Sequence, residues 1–125
     1  MTFFVPGDPC GYTRMTRRGQ WGSKAAQKYI AYKRTVQAYA MKAGLKLPLV
    51  ATEDRPLRID AYCTFRNRRH VDVENARKGC IDALFYGGKG DRYVFGYHAA
   101  PRYVADVPGG EVGMVVVVGA TEILR

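Results

Sequence analysis

Cysteine is scarce in this chain and unpaired: Cys10, Cys63 and Cys80 form an odd set with no short spacing between them. That excludes a disulfide-stapled scaffold and predicts buried free thiols in a reducing compartment. Histidine is scarcer still. His70 and His98 stand far apart and near no cysteine pair, so no zinc-site spacing is present, and His98 has no evident nucleophile to activate. Long apolar runs are missing as well. The longest, Met114 to Val118, is far short of the ~20 residues that span a bilayer. The opening Met-Thr-Phe-Phe-Val-Pro has no basic n-region, which predicts no signal peptide, and low-complexity stretches and internal repeats are absent. A soluble, cytoplasmic protein is the expectation.

Acidic residues are also in short supply. Eleven Asp and Glu face twenty Lys and Arg, a formal net charge of +9. Such an excess fits a polyanionic partner, of which nucleic acid is the commonest, or else serves solubility alone. The 125 residues, 47% apolar and 25% charged, predict one globular domain spanning 1–125. A chain of this size buries roughly two-thirds of its unfolded surface.

Thr2 to Val5 reads as a short strand, stopped by the turn signal Pro6-Gly7-Asp8-Pro9. A loop from Cys10 to Gly22 follows, carrying Arg14, Arg17 and Arg18 with Tyr12 and Trp21 among them. Ser23 as N-cap and Gly44 as terminating glycine bracket a helix. Within it Tyr29, Tyr32, Val36, Tyr39, Ala40 and Ala43 recur at helical spacing, as a core face. Leu57, Ile59, Ala61, Cys63 and Phe65 alternate with polar residues, the pattern of a half-buried strand. Asn75 to Tyr86 predicts a second helix ending at Gly87-Gly88. Tyr93 to Val104 reads as extended with Pro101 at an edge or break, and Val112 to Val118 as a central or helix-covered strand. The expected fold is mixed α/β, a sheet of about four strands with two main helices.

The segment Asp72-Val73-Glu74-Asn75-Ala76-Arg77-Lys78 carries the chemistry. Carboxylates crowded within a Debye length repel one another and phosphate unless a cation lies between them. Here they directly follow the basic run Arg66-Asn67-Arg68-Arg69-His70. The arginines would hold a phosphate backbone and the acids a Mg²⁺ ion, which favours a few carboxylate oxygens and keeps several waters. Asp91, after the Gly87-Gly88-Lys89-Gly90 turn, is the third candidate ligand beside Asp72 and Glu74. That turn matches neither a P-loop nor a dinucleotide fingerprint. His70 reads as a phosphate or solvent contact. A purely structural reading stays open: Asp72 caps the helix, and Glu74, Lys78 and Asp82, at i, i+4 and i+8, form surface pairs of about 0.3–0.5 kcal/mol each. Trp21 and Tyr12 either stack on unpaired bases or cover the helix start.

Taken together these residues resemble the RusA family of Holliday junction resolvases of bacteria and their phages. The family's Asp-x-Asp-Asn-x-x-Lys-x-x-x-Asp-Ala-Leu block reads here Asp72-Val73-Glu74-Asn75-Ala76-Arg77-Lys78-Gly79-Cys80-Ile81-Asp82-Ala83-Leu84, with Phe4-Val5-Pro6-Gly7-Asp8-Pro9 at the start and Asp91 before Arg92-Tyr93-Val94. The resemblance implies a homodimeric, Mg²⁺-dependent (or Mn²⁺-dependent) endodeoxyribonuclease that binds branched DNA and nicks opposing strands of a four-way junction. It makes Asp72, Glu74 and Asp91 metal-binding carboxylates, Lys78 the catalytic basic residue and Asp82 a supporting one. Arg14, Arg17, Arg18, Arg66, Arg68 and Arg69 would grip the DNA backbone. Two departures are visible: Glu74 stands where the family usually has Asp, and Gly90 where an acidic neighbour is common. They leave two alternatives, a non-catalytic nucleic-acid-binding module and a nuclease with another branched or RNA substrate.

Overall fold

A computed structural model of the chain describes residues 1–13, 24–86, 88–107 and 109–120. The basic loop residues Arg14, Arg17 and Arg18, together with Trp21 and Ser23, lie outside the described residues. The elements in order are β1 (Thr2–Pro6), α1 (Lys24–Lys42), β2 (Leu57–Phe65), α2 (Val73–Phe85), β3 (Val94–Phe95), β4 (Arg102–Tyr103) and β5 (Gly113–Ala120), with 3₁₀ turns at Asp91–Tyr93 and Val104–Asp106.

β5 lies between β1 and β2 in a five-stranded mixed sheet. It pairs antiparallel with β1 on one side and with β2 on the other. The register puts Phe3 opposite Val116, and Val116 opposite Ala61. Phe3, Val5, Met114, Val116, Val118, Ile59, Ala61, Cys63 and Phe65 therefore share the inner face, and all are buried. Strand alternation produces this face directly. Ala76, Cys80, Ala83 and Leu84 from α2, with Val36 and Ala40 from α1, complete the same core.

The expected mixed α/β fold with two helices is thus the observed one. It has five strands because the stretch expected to run extended from Tyr93 to Val104 breaks into two short pieces. Both pair in parallel with β2, Val94 and Phe95 at its start and Arg102 and Tyr103 at its end. Gly96, at φ +135°, lies so close to β2 that a Cβ there would stand 2.2 Å from the Ile59 carbonyl oxygen. α2 begins at Val73, two residues before the expected start, because Asp72 caps it. On α1, Tyr29, Val36 and Ala40 are buried, but Tyr39 and Ala43 are exposed. At 100° per residue Tyr39 points about 80° away from the stripe that Tyr29 begins, and Ala43 lies past the helix end. Among the described residues no helix is long and apolar enough to cross a membrane.

Candidate active site

α2 carries most of the site, and its start is fixed locally. The Asp72 side chain accepts a hydrogen bond from the Glu74 backbone N–H at 3.2 Å, satisfying one of the free donors of the first turn. Val73 and Ala76 face the core, while Glu74, Arg77, Lys78 and Ile81, the last partly buried against it, reach the surface beside that face. They line a cleft of about 370 Å³ together with Tyr12, Asp82, Asp91 and Val94.

The N-terminal segment is docked on α2 by main-chain contacts. Tyr12 N–H donates to the Asn75 carbonyl at 3.2 Å, and the Asn75 amide nitrogen donates to the Tyr12 carbonyl at 3.3 Å. Gly79 makes room for this approach: a Cβ there would meet Tyr12 N at 3.2 Å and the Tyr29 ring at 3.3 Å. At Gly11 a Cβ would fall 2.4 Å from the Asn75 amide. So placed, the Tyr12 ring lies 4.5 Å beneath the Lys78 ammonium, a cation–π contact at the cleft wall.

Asp82 is braced from the other helix. It accepts from the Tyr29 hydroxyl at 2.6 Å and pairs with Lys33 at 2.9 Å. Burial, and then the bond to Asp82, push the Tyr29 hydroxyl well above its ordinary pKa, so it stays a donor. The ion pairs among the described residues join Lys33 to Asp82, Arg58 to Asp60 and Arg66 to Asp8. The surface pairing of Lys78 with Glu74 or Asp82 that the helical spacing allows is therefore not formed. The capping by Asp72 is formed.

Of the expected ligands, Glu74 and Asp91 share the cleft with Lys78 and Asp82, whereas Asp72 is not among the lining residues. Among the described residues no three His, Cys, Asp or Glu side chains stand together as a ready metal site. The hard oxygen donors of Glu74 and Asp91 in an open cleft still suit Mg²⁺, which is commonly held by one or two carboxylates with substrate phosphates and water. Asp91 is positioned by Gly90, whose φ of +101° opens the 3₁₀ turn that begins at Asp91.

Spacing gave no hint of Arg77. Its Nε donates to the Ile59 carbonyl at 2.9 Å, tying the cleft wall to β2. Burial lowers its pKa, opposed by Asp60, Cys80 and Glu74, and its intrinsic basicity keeps it charged. The Lys33 brace on Asp82 was equally invisible, because α1 and α2 are far apart in sequence.

The basic approach is partly described. Arg66, Arg68 and Arg69 are all exposed between β2 and α2. Asp8 accepts from the Arg66 backbone N–H at 3.1 Å and from its Nε at 3.3 Å, and the Arg68 guanidinium lies 4.6 Å over the Tyr103 ring. His70 is not the open phosphate contact expected. It stacks on Phe65 at 3.9 Å, its Nδ1 donates to the Val71 carbonyl at 2.6 Å, and Nε2 meets the Tyr103 hydroxyl at 2.8 Å. Both ring nitrogens are used within the fold. Compared with known proteins, the chain matches no protein-family model. A search of curated proteins finds no match either.

Proposed function

We propose that this protein is a Mg²⁺-dependent endodeoxyribonuclease acting on four-way DNA junctions, working as a homodimer. The observation that supports it most is the convergence of Glu74, Lys78 and Asp91 on one open cleft, in a chain that also exposes Arg66, Arg68 and Arg69. The same residues carry the resemblance to the RusA resolvases. A junction has approximate two-fold symmetry, so a C₂ dimer would present one cleft to each of two opposed strands.

In this reading Glu74 and Asp91 hold the metal, and Asp72 joins them only if its capping carboxylate turns toward the cleft. When bound, Mg²⁺ supplies Lewis acidity toward a phosphoryl oxygen and lowers the pKa of a water. Lys78, held over the Tyr12 ring, stabilises negative charge that builds on phosphorus and the departing oxygen. Arg77 adds a second cation with terminal nitrogens free of the Ile59 bond. Asp82, neutralised by Lys33, keeps α1 against α2 rather than binding substrate. Arg14, Arg17, Arg18, Arg66, Arg68 and Arg69 grip phosphates without reading bases.

The test offers purified protein a synthetic four-way junction, a linear duplex, a flap and an RNA hairpin, each with Mg²⁺ or Ca²⁺. Paired nicks in the junction, with Mg²⁺ only, are expected. Equal cutting of all substrates would reassign the substrate, and no cutting of any would refute the nuclease reading. A second reading, a binding module whose acids are structural, is favoured by the capping role of Asp72 and by the lack of a ready three-ligand group. It requires Glu74→Gln and Asp91→Asn to leave every activity unchanged, whereas the nuclease reading requires both to abolish nicking and spare junction binding.

A further inference from the structure

A second cavity, of about 520 Å³, opens beside the candidate cleft, and Asp91 lines both. Its other walls are Thr52 and Glu53 from the segment before β2, Lys89 and Arg92 from the turn after α2, and the Tyr93 ring. We propose that this cavity is a subsite for the nucleotide next to the scissile phosphate, with Lys89 and Arg92 on its phosphate and Glu53 against its base. The inference rests on the nuclease reading and extends it to substrate selection.

Three observations carry it. First, Asp91 lines both cavities, so a strand whose phosphate meets Asp91 in the cleft has this cavity next to it. Second, two cations line it. Arg92 lies 5.0 Å over the Tyr93 ring, which orients its guanidinium, and Lys89 is exposed at the rim. Third, the wall is pre-formed. The turn presses so closely on the preceding segment that a Cβ on Gly90 would stand 1.8 Å from the Ala51 carbonyl oxygen, and one on Gly88 would stand 3.1 Å from that of Leu49. The Leu49 N–H donates to the Leu84 carbonyl at 2.9 Å, which ties the same segment to α2. A rigid wall beside a reactive phosphate can discriminate between nucleotides, because a poorly matched base leaves polar groups unpaired. Glu53 is an acceptor only, so it favours a base edge that offers N–H donors.

The experiment uses the intact protein and a set of four-way junctions differing only in the nucleotides flanking the cut. Wild type is compared with Glu53→Gln and with Lys89→Ala/Arg92→Ala, after thermal melts establish that each variant is folded. Glu53→Gln is expected to change the distribution of cut sites while total cutting persists. The double variant should weaken binding evenly across sequences, and the log–log salt slope of binding without Mg²⁺ should fall by about 0.9 per lost phosphate contact. Unchanged site distribution together with an unchanged slope would overturn the subsite and leave the nuclease reading standing. A wild type that binds without cutting would refute the nuclease reading and the Glu53 selection with it, and the slope would then decide whether the cavity lies on the nucleic-acid path.

Discussion

Asp72 caps α2, and the proposed function would add a second role that chemistry can separate from the first. As a cap it needs only an acceptor oxygen for the Glu74 N–H, and asparagine caps helices about as well as aspartate. As a metal ligand it needs the charge. Asp72→Asn should therefore leave the urea midpoint nearly unmoved, while Asp72→Ala should lose about 1 kcal/mol. If Asp72→Asn also keeps junction nicking intact, the residue is a cap alone; a loss of nicking at unchanged stability makes it a ligand. Gly90 offers a similar contrast with Gly109. Both have positive φ, +101° and +70°, but a Cβ on Gly90 would collide with the Ala51 backbone, whereas one on Gly109 would meet nothing within 4 Å. Gly109→Ala should cost only the backbone strain, about 1 kcal/mol. Gly90→Ala should cost clearly more and, if the proposed nuclease function holds, nicking should fall with it because Asp91 is displaced. Equal losses in denaturant titrations of the two variants would show that the turn yields without resistance.

At the scale of elements, α1 and α2 meet through a polar brace as well as through the core. Removing the Tyr29 hydroxyl with Tyr29→Phe deprives Asp82 of a donor and should destabilise by about 1–2 kcal/mol. Lys78 is not part of that brace, so under the proposed nuclease function nicking should persist in the folded variant; a stable variant that no longer cuts would place Asp82 in the chemistry. This brace shows where a reading of the sequence stops. Period-two alternation was enough to find β2, the apolar run from Val112 to Val118 was enough to find β5 but not which of its faces is buried, and the spacing of Glu74, Lys78 and Asp82 was enough to find the helix surface that lines the cleft. Alternation also put Asp60 on the solvent side, yet it is buried, bonded to Arg58 at 3.0 Å and to the Tyr97 N–H at 3.0 Å. The loop that covers it arrives from residues 96–98, held by close approach of Gly96 to β2. A local pattern carries no record of which distant segment will fold over a face. Lys33 on Asp82, Arg77 on Ile59 and Tyr103 on His70 were hidden for the same reason: each partner is supplied by tertiary topology.

For the molecule as a whole, the two buried thiols predict a loss of stability at alkaline pH. Cys63 and Cys80 are buried among apolar side chains, and burial pushes both thiols up to about 12 from an ordinary value of 9.0. Above pH 9 the unfolded chain releases these protons while the folded chain retains them. The unfolded state then binds fewer protons, so unfolding becomes easier as pH rises. Each thiol contributes a slope of up to about 1.4 kcal/mol per pH unit between its two values, in a window that runs from pH 9.0 to about 12. Urea unfolding at pH 8, 9 and 10 should therefore show little change over the first step and a marked loss over the second. A Cys63→Ala/Cys80→Ala protein will start less stable, because it leaves small cavities in the core. Between pH 9 and 10, however, it should lose less stability than wild type. Parallel curves for the two proteins over that interval would mean that lysine and tyrosine titration, rather than the two buried thiols, governs the alkaline limit.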